Sequence, residues 1–459
     1  MKQWDVNWGA YLRAVIFASS VNTFKAGIQS LLQYARQICD AGEPVYGESL
    51  VTEILIDLQS ALTWWVLDQN VSSEEKAIAC DELRAFLKER CANSKLERAE
   101  KEAESIRKSQ FARITRATLD GKLFTYWGSD LCTGVDFSLR RGASFTTSNP
   151  SKINLFRQAE PLQYQAYVKE IMEQHPGLTK EQLLSYVSMK VVAQVARQTR
   201  PIFEATNGRF GVSFTQVSPT SWNNAQEMID EAKLWFSEFQ RELGTDRPNV
   251  VFKLPATPAA KEAAKELLKD SRIRVTFTSN FAVGQHKPFL EIINDREPNC
   301  FLVLVDCHLR KFARPEFEAM GVSNPDYYCE RLVHAVYQKC YQQLLDNKSH
   351  AMINGAGMRE DVGIRLCLTN LPELPCTLTV TPSLAATFDS EERSLDIIWN
   401  TPIAEEDMAV LNRSQIFRQA YYEDEFPWND VESFPPYTFM MDGFMDARKA
   451  CLDAMPDYD

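Results

Sequence analysis

Lys253 stands inside the apolar run Asn249-Val-Val-Phe-Lys-Leu254. A charged amine in an apolar strand must pair with a carboxylate or give up its proton. Desolvation lowers the amine pKa, which is what a lysine needs to attack a carbonyl and form a Schiff base. The other reading is a strand-end lysine that reaches solvent or a carboxylate. Further polar residues stand at the ends of strand-like runs: Asp130, Asn149, Gln216, Thr276, Arg310 and Arg359. Each alone reads as a cap, a turn residue or a surface charge. Asn149-Pro-Ser151 is a turn pattern, and Gly355-Ala-Gly357 is a loop that lets a helix start closely. Together they form a polar ring around one amine, and that is more specific.

The elements that must position this ring are legible after Gly121. Eight short β-rich runs follow one another: Lys122–Trp127, Ala143–Thr147, Phe210–Val217, Asn249–Leu254, Arg274–Thr278, Phe301–Val305, His350–Asn354 and Thr377–Thr381. Helical patterns separate several of them. Met228, Ile229, Ala232, Trp235, Phe236, Phe239 and Leu243 make an amphipathic helix that Gly244 closes. Leu332 to Leu345 makes another. The longest insertion, residues 151–208, holds more than one helix. Eight strands separated by helices predict an α/β fold, a (β/α)8 TIM barrel, over residues 120–390. Catalytic groups then belong at the strand C-terminal ends and the loops after them.

Residues 1–119 read as an all-α extension. Apolar spacing predicts helices over Phe24–Ile38 and Val51–Leu67, and Ser72-Ser-Glu-Glu75 caps a third. The charge-dense run Glu89–Arg113 holds the i,i+4 pairs Glu97–Lys101 and Glu104–Lys108. It reads either as a solvated or linker helix or as a partner-binding or dimerisation helix. Residues 391–459 turn acidic and aromatic and end in a helix, Asp442–Leu452. They read as a C-terminal helical arm packing over the barrel or as a lid.

Composition limits the function classes. The 459 residues carry 50 Lys plus Arg against 62 Asp plus Glu, a formal charge of −12. No phosphate-neutralising surplus exists, so nucleic acid is not an expected partner. No stretch of eighteen uncharged apolar residues argues for a membrane span, and the N-terminus lacks the order of a signal peptide. The eleven cysteines are scattered without a Cys-x-x-Cys pair. Metal and redox-motif readings fail on that spacing, and a reducing, cytoplasmic setting is expected. Sequons at Asn70, Asn347 and Asn412 are then chance matches.

Four segments resemble the transaldolase family of the class I Schiff-base aldolase superfamily. Thr146-Thr-Ser-Asn-Pro-Ser151 resembles the signature after strand two. Arg247-Pro-Asn-Val-Val-Phe-Lys-Leu-Pro-Ala-Thr257 resembles the segment of the Schiff-base lysine. Val275-Thr-Phe-Thr-Ser-Asn-Phe-Ala282 resembles strand five. Ile353-Asn-Gly-Ala-Gly-Met-Arg359, with Leu378-Thr-Val-Thr-Pro382, resembles strands seven and eight. The resemblance covers roughly residues 121–390; residues 1–119 lie outside it, so the chain resembles a diverged member with an N-terminal helical extension.

The resemblance implies residue roles. Lys253 forms an imine with a ketose donor, and the iminium acts as electron sink while the donor C3–C4 bond breaks. Thr276 holds the catalytic water, and Asn149 binds donor hydroxyls. Arg310 and Arg359 grip the substrate phosphate, a task suited to the planar guanidinium fork. No metal or organic cofactor is needed. The implied partners are sugar phosphates or related ketoses and aldehydes, in carbohydrate metabolism of the pentose phosphate type. The sequence is compatible with a homodimer.

There are departures from the pattern. Gln216 stands where the family has a catalytic glutamate, and an amide positions a proton without shuttling it. Fructose-6-phosphate aldolases of the same superfamily also have Gln there. The strand-one aspartate falls on Ser129 or, with a slip of one residue, on Asp130; Asp130 is taken because it is the only carboxylate at that strand end. Gly357 replaces the phosphate-site serine, the strand-six serine has no clear match, and Cys307 falls where members carry Phe or Tyr. Three functions follow: a transferase moving a dihydroxyacetone unit to an aldehyde, a lyase releasing a free three-carbon ketone, and a catalytically weakened barrel that serves as a binding or scaffold protein.

Overall fold

The computed structural model describes residues 18–41, 66–90, 93–205, 207–208, 210–293, 300–358 and 360–456, with the single residues 15, 59 and 62. Most of the helix expected at Val51–Leu67 lies outside the described residues, as does Arg359.

The chain opens with helices α1 (Val21–Ala41), α2 (Ser73–Arg90), α3 (Asn93–Lys108) and α4 (Gln110–Leu119). Ser72 caps α2 reciprocally with Glu75: its Oγ accepts from the Glu75 N–H at 3.2 Å, and the Glu75 carboxylate accepts from the Ser72 N–H at 3.3 Å. The charge-dense run Glu89–Arg113 spans the end of α2, all of α3 and the start of α4 rather than one helix; Ser109 is extended and caps α4 through the Ala112 N–H. The Glu104–Lys108 pair forms at 3.4 Å on the exposed face of α3.

The barrel follows in order: β1 (Thr125–Ser129), α5 (Val135–Arg140), β2 (Phe145–Thr147), α6 (Pro150–Ala159), α7 (Pro161–Gln174), α8 (Lys180–Ala205), β3 (Val212–Gln216), α9 (Ala225–Leu243), β4 (Val250–Pro255), α10 (Pro258–Leu267), β5 (Val275–Thr278), α11 (Val283–Ile293), β6 (Cys300–Val305), α12 (Asp306–Ala319), α13 (Pro325–Asp346), β7 (Met352–Ala356), α14 (Asp361–Leu366), β8 (Cys376–Val380) and α15 (Pro382–Asp389). The strands are parallel and pair in sequence order, and β8 returns to β1 to close the sheet. All eight expected runs overlap a strand. The 151–208 insertion is α6, α7 and α8. Helices α16 (Glu405–Leu411), α17 (Gln415–Tyr421) and α18 (Pro435–Leu452) complete the arm. Among the described residues no helix is long and apolar enough to cross a membrane.

Side-chain alternation along the strands decides which residues face the interior. Phe252 of β4 packs outward on Phe239 of α9, with ring centroids 6.5 Å apart. Phe277 of β5 stacks on Phe289 of α11 at 3.7 Å. Their neighbours Lys253 and Thr276 therefore point inward. Below them the interior is filled by Phe145, Phe214, Val251, Phe301 and Met352, all buried. Phe214 contacts the rings of Phe145 (5.4 Å) and Phe301 (4.9 Å). The barrel is a packed plug with a polar upper layer.

The helical extension is anchored to this barrel. Phe111 of α4 packs on Trp127 (4.7 Å) and on Phe388 of α15 (5.1 Å). The Trp127 Nε1–H donates to Thr115 Oγ1 at 2.9 Å, and Arg141 donates to Ser105 Oγ at 3.1 Å.

Gly128 of β1 lies flat against Phe145; a Cβ there would come within 2.4 Å of the ring. Gly128→Ala should therefore destabilise the fold by about 1–3 kcal/mol through overpacking, read as a lower denaturant midpoint at unchanged m-value. An unchanged midpoint would show that the aromatic plug yields freely.

Candidate active site

Four barrel strands and one helix start converge on Lys253. Register aligns Gln216 with Lys253 and Lys253 with Thr276, so the three stand side by side across β3, β4 and β5. Lys253 is 6% exposed and its Nζ–H donates to the Ser148 carbonyl at 3.1 Å. Burial lowers its pKa to about 8; Asp130 opposes that shift and Lys152 adds to it. About a tenth of the side chain is then neutral at pH 7, against about one in three thousand at the ordinary lysine value.

Asp130 follows β1 directly. Its carboxylate accepts from Thr147 Oγ1 at 2.7 Å and pairs with Lys152 Nζ at 3.0 Å. Ser129, the alternative match, is fully buried and its Oγ accepts from Ser138 Oγ at 3.1 Å. Of the two, Asp130 is the group whose charge reaches Lys253.

Asn149 is extended and caps α6. Its Oδ1 accepts from the Lys152 N–H at 3.1 Å, which leaves the amide NH2 to donate elsewhere. Thr276 is fully buried and donates its hydroxyl to the Phe301 carbonyl at 3.0 Å. Its lone pairs remain available to a water. Gln216 is 7% exposed, and its Oε1 has no hydrogen-bond partner among the described residues.

Arg310 lies apart from this cluster, on α12 beyond β6. Its Nη1 donates to Glu360 at 2.8 Å, and Asp306 Oδ2 lies 3.9 Å from its Nε. The Nε and Nη2 edge is buried and makes no hydrogen bond among the described residues. That edge is the fork that receives an oxyanion bidentately. Two carboxylates nevertheless offset its charge.

Other residues at the site carried no motif signal. Lys152 is three positions beyond Asn149, and only the first turn of α6 brings it to Asp130. Asn354 of β7 is buried and accepts from Thr379 Oγ1 at 3.1 Å. Asn280, just after β5, is fully buried, and neither of its side-chain polar atoms has a hydrogen-bond partner among the described residues. Behind Asn149 and Gln216 lies a cavity of about 50 Å³, lined also by Glu231 and Arg448. Glu231 accepts from the Ser218 N–H at 2.6 Å and from Ser185 Oγ at 3.1 Å, and burial pushes its carboxyl above the ordinary value. The arm closes the top: Phe434 contacts Phe281 (6.2 Å), and Ser279 Oγ lies 3.5 Å from Met441 Sδ of α18.

A family model described as Transaldolase/Fructose-6-phosphate aldolase matches residues 137–371, just over half of the chain. The chain belongs to this family. The match takes in Asn149, Gln216, Lys253, Thr276 and Arg310, while Asp130, β1 and β8 lie outside it. Among curated relatives, Transaldolase 1 of Streptomyces avermitilis is 30% identical over 115 residues, 25% of this chain and 29% of that protein. Transaldolase of Campylobacter jejuni is 28% identical over 156 residues, 34% of this chain and 44% of that protein. Transaldolase 2 of Nostoc sp. is 33% identical over 87 residues, 19% of this chain and 21% of that protein. The chain thus spans less than half the length of these relatives.

The charges around Lys253 predict the sign of two shifts in this family member. Lys152→Met removes a repelling cation and frees Asp130, so the Lys253 amine should titrate above about 8. Asp130→Asn should move it below. Lysine-selective NMR titration reads both; a Lys253 midpoint that neither variant moves would refute this electrostatic account.

Proposed function

We propose that this protein makes and breaks a carbon–carbon bond of a ketose through an imine on Lys253, moving a dihydroxyacetone unit to an aldehyde acceptor. The observation that carries the reading is a buried amine with a pKa near 8, set between Gln216 and Thr276 and within the field of Asp130.

The steps follow from the groups present. The neutral amine attacks the donor ketone at C2. The carbinolamine loses its hydroxyl as water, with Thr276 as the holder of that water. The iminium then accepts the electron pair of the C3–C4 bond, and the C4 hydroxyl proton passes to a base. Asp130 is the carboxylate for that proton, and it is paired with Lys152. Asn149 offers its free amide N–H groups to the donor hydroxyls. The enamine that remains attacks an acceptor aldehyde, and hydrolysis returns the lysine. A phosphate on the substrate would use the unpaired edge of Arg310, with Arg359 as its partner by family resemblance. The expected setting is the cytoplasm, and residues 1–119, 120–390 and 391–459 are the proposed extension, barrel and arm.

Gln216 favours a second reading, in which the enamine is protonated at C3 and released as a free three-carbon ketone. An amide beside Lys253 cannot relay the protons of a transfer cycle as a carboxylate can.

Borohydride reduction in the presence of fructose 6-phosphate or dihydroxyacetone should leave a mass adduct on the Lys253 peptide. No adduct with any ketose would sink the enzymatic reading and leave the scaffold role. Gln216→Glu should raise transfer to an aldehyde acceptor by on the order of tenfold or more relative to ketone release. An unchanged product ratio would mean that this position does not set the partition.

A further inference from the structure

The opposite, N-terminal pole of the barrel gathers positive charge that the chemistry above does not use. Arg200 near the end of α8, Arg247 before β4 and Arg274 before β5 surround one ring, Phe203. Their guanidinium carbons lie 4.9, 5.6 and 4.8 Å from its centroid. In a chain of net charge −12 this is a local reversal of sign.

The three arginines are not equally occupied. Arg200 is spent on structure: Nε pairs with Glu204 at 3.1 Å, Nη1 donates to the Arg247 carbonyl at 2.8 Å and Nη2 donates to Thr245 at 3.3 Å. Arg274 is only 3% exposed. Its Nη1 donates to the Gly208 carbonyl at 2.8 Å, and its buried Nη2 has no hydrogen-bond partner among the described residues. The guanidinium of Arg247, an exposed residue, makes no hydrogen bond or ion pair among the described residues. Burial first, then the charges of Arg247 and Arg200, pull Arg274 down to about 10. It is still a cation at neutral pH, and both charges acting on it are positive.

Gly208 is the third element of the site. It adopts φ +82°, and a Cβ there would meet Arg274 Nη2 at 2.8 Å and Arg247 Nη2 at 2.9 Å. Two unpaired donors from two strand entrances therefore converge in front of a residue with no side chain. A buried guanidinium nitrogen without an acceptor costs free energy. An oxyanion with several lone pairs would answer it and relieve the repulsion between the arginines.

We propose that this pole is an anion site, in which Arg247 and Arg274 bind a phosphoryl group of a small molecule and Arg200 adds to the field. The site is separate from the Lys253 mouth and does not depend on the activity proposed there. The competing account is an arginine–aromatic stack that only anchors the loop around Gly208.

Calorimetric titration of the full chain with inorganic phosphate and with pyrophosphate, at fixed ionic strength, tests this. Saturable binding is expected, tighter for pyrophosphate if the ligand carries two phosphoryl groups. Arg247→Ala, at an exposed position, should weaken it by about tenfold or more. Arg310→Ala, which removes the phosphate edge proposed at the mouth, should leave this Arg247-dependent binding in place. The proposal fails if neither anion binds, if Arg247→Ala binds as the parent does, or if Arg310→Ala is the variant that abolishes binding.

Discussion

An amine held on a dry aromatic floor is the constraint around which the barrel is arranged. Lys253 stands one alternation above Val251, over a plug of Phe145, Phe214, Phe301 and Met352. Closing the sheet from β8 to β1 removes every edge, and the plug fills the barrel below the amine. Lys253 is 6% exposed in this position. The charged form therefore loses solvation, and the pKa falls to about 8. An open sheet would leave an edge through which water could screen the same lysine.

The rest of the mouth holds that amine within bounds. Asp130 draws the pKa up and Lys152 draws it down, and these two are paired to each other at 3.0 Å. Both depend on helix-start geometry. Asn149 caps α6, Pro150 fixes its first turn, and the first turn brings Lys152 back over β1. The same device, a capping side chain followed by proline, opens α10, α13 and α15. The arm then roofs the mouth with Phe434 and Met441, while α4 fastens the extension to β1 from outside.

Much of the barrel was legible because strand and helix periods are local properties. Eight runs of β-branched and aromatic residues announced eight strands, and Gly244 marked the end of α9 as a left-handed cap. Lys253 was legible for the same reason: a cation within an apolar strand is anomalous in any context. Asp130 was legible only as a choice between neighbours. Lys152, Asn280 and Glu231 were not, since nothing in their local sequence distinguishes them from helix-surface or loop residues. Arg310 was expected to grip phosphate; its Nε and Nη2 make no hydrogen bond among the described residues, and Glu360 and Asp306 offset its charge. Their approach comes from a loop and a helix start remote from the arginine's own motif.

By itself, then, the sequence determined the order of elements, the single anomalous amine and the polar character of the strand ends. These follow from composition and periodicity over a few residues. Only the tertiary structure decided which of those polar groups share a layer with Lys253, which carboxylate reaches it, and where three arginines separated along the chain meet on one ring. Those facts depend on strand register and barrel closure. One step of register would turn Gln216 and Thr276 outward, and no local pattern encodes which strand residue stands beside which.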